Sequence, residues 1–257
     1  MKHIIAAIAI AAMLEAVVPA PASAEPEDRL ASDKLSFAVA PYVWFASLQG
    51  DIAAFPALPP VEVDASFREI FENLDPSLMM AGEIRFGRLG FLTDIVYVHL
   101  EADGPTPGPL FSGVEADVKN FIGTFEAAYR VVETDGVDLD LLGGIRVWSV
   151  RTELSFSPGV LAARAAENTE SWVDPIVGVR GRIDVGSGFF LAAWGNVGGF
   201  GVVSDLDWDI FGGVGYEWND WLSSIVGYRH LEIDYDDGGF LYDVVQTGPV
   251  IGAVLRF

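Results

Sequence analysis

Beyond residue 24 the chain carries two histidines, His99 and His230, the second followed closely by Asp234, Asp236 and Asp237. Hydrolysis needs a base that titrates near neutral pH and a partner that orients it or a water molecule. No paired-aspartate motif and no Ser–His spacing accompanies these histidines, so solvated or headgroup-facing positions are the simpler reading, and we assign no catalytic residue. The same acids, and the run Ser204-Asp205-Leu206-Asp207, offer carboxylate oxygens that suit Ca²⁺. A calcium loop of the EF-hand kind needs further ligands at fixed offsets ending in Glu, and they are missing. The expectation is a solvated acidic rim with no metal site and no cofactor. Divalent cations bridging the acids to anionic lipopolysaccharide are the alternative. The chain has no cysteine, which removes thiol catalysis, disulfides and thiolate zinc sites.

A larger set of charges is spaced at period two. From Val137, the odd positions Val137, Leu139, Leu141, Ile145 and Val147 are apolar, while Asp138, Asp140, Arg146 and Trp148 share the even face. Similar segregation holds around Phe121–Val131, Val173–Ile183 and Trp208–Trp218. Such alternation describes strands with one apolar and one polar side. The polar side holds Glu83, Arg85, Asp94, Glu126, Arg130, Asp140, Arg146, Asp174, Arg180, Arg182, Asp209, Glu217, Arg229 and Arg256. Arginine outnumbers lysine twelve to three. Planar guanidinium groups pair bidentately with carboxylates, which suits a confined interior better than a face open to water. These fourteen residues are therefore expected to form an ion-pair network inside a closed barrel. In the ninth run the pattern is ambiguous, because Leu231 and Ile233 share a parity with Arg229; projection of the upper end beyond the membrane resolves it.

The whole chain has 257 residues, 37 acidic against 15 basic side chains and a net charge of −22, yet its mean hydropathy is +0.35. Lys2, the apolar stretch from Ile4 to Leu14, and Ala22-Ser23-Ala24 before Glu25 predict a secretory signal peptide over 1–24, cleaved after Ala24. Residues 25–34 form a polar leader, and the −22 persists without the signal segment. Nucleic-acid binding is excluded by repulsion from phosphate. A helical span needs roughly 18 or more apolar residues, and the one uncharged stretch of that length, Gly186 to Ser204, contains six glycines and Asn196. What remains is a soluble β-sandwich or a transmembrane β-barrel, and the arginine-weighted inner face favours the barrel.

Ten runs predict ten strands, 35–48, 77–86, 91–101, 115–131, 137–151, 170–183, 189–201, 207–217, 221–233 and 241–257, with eight or twelve as alternatives. Their connections alternate between short turns, such as Gly87-Arg88-Leu89-Gly90, and longer or more acidic ones (49–76, 102–114, 152–169, 202–206, 234–240). Outer-membrane barrels are built this way, with short turns on the periplasmic side. In loop 49–76, Phe67, Ile70, Phe71 and Leu74 have the spacing of a short amphipathic helix, and Ser66 with Glu69 predicts a capping box. A ten-stranded barrel is narrow, since about eight strands leave an interior that side chains fill. We expect the lumen to be plugged by its own ion pairs, with Trp148 and Trp194 also inside. The small residues Gly144, Gly178, Gly213 and Gly252 leave a thin water path as the other possibility.

The last strand ends on Phe257 with Leu255, Ala253 and Ile251 on one face. This looks like the C-terminal signal by which outer-membrane barrels are passed to the barrel-assembly machinery. The segments PYVWFASLQGDI (41–52), SFREIFENLD (66–75), SWVDPIVGVRGRID (171–184), GNVGGFGVVSDLDWDIFGGVGYEW (195–218) and GYRHLEIDYDDGGFLYDV (227–244) resemble a family of small, largely uncharacterised proteobacterial outer-membrane β-barrel proteins. The resemblance covers about a third of residues 25–257. It implies an all-β, closed antiparallel up-and-down barrel in the Gram-negative outer membrane, and no reaction. The expected role is structural or interactive at the cell surface, as a monomer in contact with lipid and lipopolysaccharide. A narrow, porin-like pore for small solutes is the second reading, and a hydrolase with a rim active site the third.

Overall fold

A computed structural model describes residues 35–55, 59–73, 77–106 and 109–257; the expected signal peptide and leader lie outside them. The strands are β1 (Leu35–Trp44), β2 (Ser47–Ala53), β3 (Val61–Ala65), β4 (Leu78–Phe86), β5 (Leu89–Gly104), β6 (Phe111–Glu133), β7 (Val137–Pro158), β8 (Arg164–Gly186), β9 (Phe189–Gly198), β10 (Leu206–Glu217), β11 (Leu222–Asp237) and β12 (Phe240–Arg256), and one helix, α1 (Phe67–Glu72), follows β3. Ten strands, β1 and β4–β12, form a closed antiparallel barrel in which β1 joins β4 on one side and β12 on the other. Closure extends to the last residue, since Phe257 and Phe37 exchange backbone hydrogen bonds of 2.8 and 3.1 Å.

Alternation decides which side of each strand meets which medium. On β8 the outward side chains Val173, Val177, Val179, Ile183 and Val185 are each 41–55% exposed. An exposed apolar column of this kind belongs in hydrocarbon. Twelve residues at about 3.4 Å each, tilted about 40°, span about 30 Å, close to the ~25 Å apolar band of a transmembrane barrel. The inward parity over the same stretch carries Asp174, Arg180 and Arg182, with Ile176 and Gly178 between them.

Past that band the pattern turns inside out without any change of parity. On β7 the outward series Val137, Leu141, Ile145 passes to Ser149, Arg151 and Glu153, while the inward series Asp140, Arg146 passes to Trp148 and Val150. Ser149 and Ser171 face each other across β7 and β8, and the Ser171 hydroxyl donates to that of Ser149 at 2.8 Å. This pair marks the crossover from lipid to water outside. On β11, likewise, Arg229 points inward and so do buried Leu231, Ile233 and Tyr235, while His230, Glu232 and Asp234 point outward.

Above the crossover the wall is no longer a closed ring. Strand β4 ends at the level of the crossover, β9 ends short of it at Gly198 opposite Ile176, β10 begins at Leu206, and β1 gives way at Phe45-Ala46 to β2, which continues up the same edge of β12. What rises is two four-stranded sheets, β3-β2-β12-β11 and β5-β6-β7-β8. They pack face to face: Trp172 stacks on Tyr235 at 4.0 Å, Trp148 meets Tyr242 at 6.2 Å, and the Asn120 amide donates to the Tyr242 hydroxyl at 3.3 Å. A small sandwich thus stands on the barrel.

Three expectations change accordingly. The stretches 102–114, 152–169 and 234–240 are mostly strand, and the connections shrink to 105–110, 159–163 and 238–239. Most of their charges, among them Asp103, Glu153, Glu167 and Asp234, lie on the outer parity, where an apolar-out pattern makes them look like loops. The two ends of the barrel therefore differ in how far strands project more than in loop length. The run 35–48 is two strands. Helix α1 forms with the expected capping box between Ser66 and Glu69, and Phe67 packs edge-on against Phe45 at 4.8 Å.

Candidate functional site

The fourteen inward charges fall into tiers along the lumen. The upper tier is a chain of alternating charge. Arg229 on β11 forks onto Asp209 on β10 (Nε to Oδ1 3.0 Å, Nη2 to Oδ2 2.7 Å) and reaches Asp94 on β5 at 2.9 Å. Its Nη1 donates to the Tyr42 hydroxyl at 3.1 Å, and that hydroxyl donates to Asp94 at 2.6 Å. Arg146 on β7 donates to Asp209 at 3.1 Å, to Asp207, and to the Thr124 hydroxyl at 3.1 Å. The Trp148 indole donates to the other oxygen of Asp207 at 3.3 Å. All four of Arg146, Arg229, Asp207 and Asp209 are at most 2% exposed. Ions so far out of water hold together only when each is paired and its remaining polar atoms are bonded.

The lower tier centres on Asp140, which accepts from three arginines: Arg85 at 2.7 Å, Arg130 at 2.9 Å and Arg180 at 2.8 Å. Glu83 bridges Arg85 at 2.7 Å and Arg180 at 2.9 Å. Near the short-turn end, Arg182 pairs with Glu217 at 2.7 Å, Arg256 approaches Glu217 at 3.7 Å, and the Arg182 guanidinium lies over the Phe190 ring at 3.6 Å. Glu126 and Asp174 differ from the rest. Among the described residues neither forms a salt bridge: Asp174 is held by the Ser204 hydroxyl at 2.6 Å, the Ser204 amide at 3.0 Å and the Trp172 indole at 3.1 Å. Glu126 stands buried beside the cavity described below.

Tyr42, Thr124 and Asp207 join the network as well, Asp207 as a buried partner of Arg146 and not as a calcium ligand in an acidic loop. Their signal was parity, since Asp207 shares a face with Asp209, Tyr42 with Trp44, and Thr124 with Glu126. The expected inward aromatics Trp148 and Trp194 stack on Trp172 at 5.6 Å and on Phe211 at 4.2 Å; Trp44, not one of those expected, lies 4.7 Å under the Arg229 guanidinium.

A cavity of about 490 Å³ opens from the short-turn end and is lined by both arginine tiers with Leu142, Phe190, Phe211 and Val254. It reaches up to Arg146, Asn196 and Arg229, and none of its lining residues lies beyond them toward the sandwich. Immediately above, Trp148, Leu231, Ile233 and Val244 have 0% exposure. A water-filled passage would leave these side chains wetted. The lumen is thus a blind vestibule under an apolar, aromatic layer. Lumen glycines do not hold a path open: a Cβ at Gly144 would run into the Phe125 carbonyl oxygen, and one at Gly178 into the Asn196 side chain.

The two histidines stand outside this lumen. His230 lies on the outer face, its ring 4.6 Å from that of Trp208, whose indole donates to Glu232 at 3.0 Å. His99 is also outward, 3.1 Å from Asp117. Asp234 belongs to the outer face of β11 opposite Asp243 on β12, a strand position instead of a calcium loop.

No protein-family model matches the chain, and no curated protein matches it. Among solved structures it is similar to the outer membrane protease OmpT from Escherichia coli, with 9% identity, a TM-score of 0.50, and coverage of 88% of this chain and 98% of that one. It is also similar to the translocator domain of the autotransporter NalP from Neisseria meningitidis, with 13% identity, a TM-score of 0.44, and coverage of 98% and 96%. At 9% identity the likeness to OmpT is one of fold alone, the closed antiparallel barrel of outer-membrane proteins.

Proposed function

We propose that the protein is a monomeric, non-conducting barrel of the Gram-negative outer membrane that presents its two-sheet sandwich at the cell surface, in a structural or interaction role. The observation that carries this reading is the apolar layer of Trp148, Leu231, Ile233 and Val244, wholly unexposed, above an ion layer that is itself buried. On this reading the short turns and both barrel ends of the chain face the periplasm, export precedes cleavage after Ala24, and Phe257 serves as the signal to the assembly machinery. The sandwich, polar outside and bonded across its core, then stands among lipopolysaccharide headgroups. The outward placement of His230 and His99 supports a protein without catalytic work in its lumen.

The test is planar-bilayer recording of the refolded barrel. The wild type is expected to give no stepwise conductance, and a Trp148→Ala/Trp172→Ala variant to give flickering leak currents once the layer is thinned. Reproducible steps from the wild type would refute the blind lumen and favour the pore.

A further inference from the structure

We propose that His99, Glu101 and Asp117 form a binding site for one divalent transition-metal ion, zinc being the best match, on the outer face of the β5–β8 sheet just above the apolar band. His99 and Glu101 are two apart on β5, so their side chains share a face. Asp117 on β6 is the cross-strand partner of Glu101 and the diagonal neighbour of His99. The sheet thereby delivers three donors to one spot. His99 Nε2 lies 3.1 Å from Asp117 Oδ2 and 3.7 Å from Glu101 Oε1, and one ligand atom from each residue falls within 4.8 Å of the others. Tetrahedral zinc bound at about 2.0–2.1 Å sets neighbouring ligands about 3.3 Å apart. The two shorter separations bracket that edge, and only small rotamer adjustments of the exposed Glu101 are needed to close the third.

The donor set selects the ion. Calcium and magnesium take six or more oxygens and rarely imidazole, whereas one nitrogen with two carboxylates suits zinc and its first-row neighbours. The backbone beneath the site is pinned from the side, since the Glu101 amide donates to the Asn73 carbonyl at 3.2 Å and the His99 amide to the Ser77 hydroxyl at 3.3 Å. Lys119 contacts Asp117 at 3.1 Å. Its charge opposes a cation, so it moderates affinity, and it stays available to the oxygen of Asp117 that the metal does not take. Three protein ligands leave one position for water or for an anionic oxygen from outside.

The test is calorimetric titration of the full chain, refolded in detergent and stripped with chelator, with ZnCl₂ and separately with CaCl₂. One Zn²⁺ per chain is expected, with at least tenfold weaker binding in His99→Ala and Asp117→Asn and no matching calcium isotherm. Lys119→Gln should bind severalfold tighter, and His230→Ala should bind like the wild type. Co²⁺ in place of Zn²⁺ should give the intense visible absorption of a four-coordinate site, lost in His99→Ala. All these side chains lie on the outer face of the sheets, away from the barrel interior and the sandwich core, so each variant should keep the folded barrel's gel mobility. The inference is overturned if zinc binding is absent, if it survives in His99→Ala, or if it is lost equally in His230→Ala.

Discussion

Replacing Arg229 by methionine keeps most of the side-chain length and removes a cation that is 2% exposed. Asp209 loses a two-point contact and Asp94 an ion pair, leaving Asp209 with Arg146 and Asp94 with the Tyr42 hydroxyl. Breaking a buried pair by deleting one partner typically costs about 3–5 kcal/mol, because the surviving charge stays out of water. With a urea slope of about 2–3 kcal/mol/M, the unfolding midpoint in detergent should fall by about 1–2.5 M. Arg182→Met supplies the contrast. That side chain is 24% exposed, and its partners Asp184 and Glu217 are 52% and 41% exposed, so water screens the pair and its loss should cost about 1 kcal/mol at most. Adding Asp209→Asn to Arg229→Met removes one of the two orphaned carboxylates and should restore part of the loss, which a single deletion of an independent contact would not allow. If Arg229→Met shifts the midpoint no more than Arg182→Met does, water reaches the upper tier and the sealed ion layer is wrong.

Two further outcomes follow from geometry and charge. Gly144→Val should destabilise by at least about 3 kcal/mol because its Cβ meets the Phe125 carbonyl, while Gly143→Val, one residue away with open space outside, should be neutral within about 0.5 kcal/mol; parallel urea titrations compare them. Asp234 lies above the apolar band, where partial burial and then the carboxylates of Asp243, Asp205, Asp236 and Glu232 raise its pKa. The folded state therefore binds that proton more tightly than the unfolded state, so the group weakens stability as pH rises from the ordinary aspartate value, about 4, through the folded value. Asp234→Asn should raise the thermal midpoint at pH 7.5 and lose that advantage below about pH 4; an advantage that grows on acidification would contradict the sign.

The barrel and its inner face were legible because lipid and lumen impose opposite demands on alternate residues, as in Ile145 against Arg146. Legibility failed where the medium changes while the period does not. Leu231 and Ile233 share the parity of Arg229 because all three point inward, one into an ion layer and two into an apolar core. Glu153, Glu167 and Asp103 are strand residues facing water, and a rule that asks strands to be apolar outside reads them as loop. Position along the strand, which the period does not encode, also decides partners. Asp174 sits beside the β9–β10 connection and so meets Ser204 in place of an arginine. The break at Phe45-Ala46 has a similar origin, since nothing local distinguishes the residues of β1 from those of β2 that continue along β12.

The crossover at Ser149 and Ser171 also fixes height. If the barrel sank by one pair of residues, about 5 Å along the membrane normal, Lys119, Arg151 and Thr169 would enter hydrocarbon; if it rose as far, Val137, Ile183 and Val185 would leave it. Each charge moved into lipid costs up to about 2–4 kcal/mol, depending on depth, so the molecule is held at one level like a gauge. From Trp172 to Arg164, β8 rises about 20 Å further. Whatever meets the tips of the sandwich therefore does so at a set standoff from the bilayer, and lengthening or trimming the β7–β8 hairpin by pairs of residues would change that distance in steps without disturbing the lumen below.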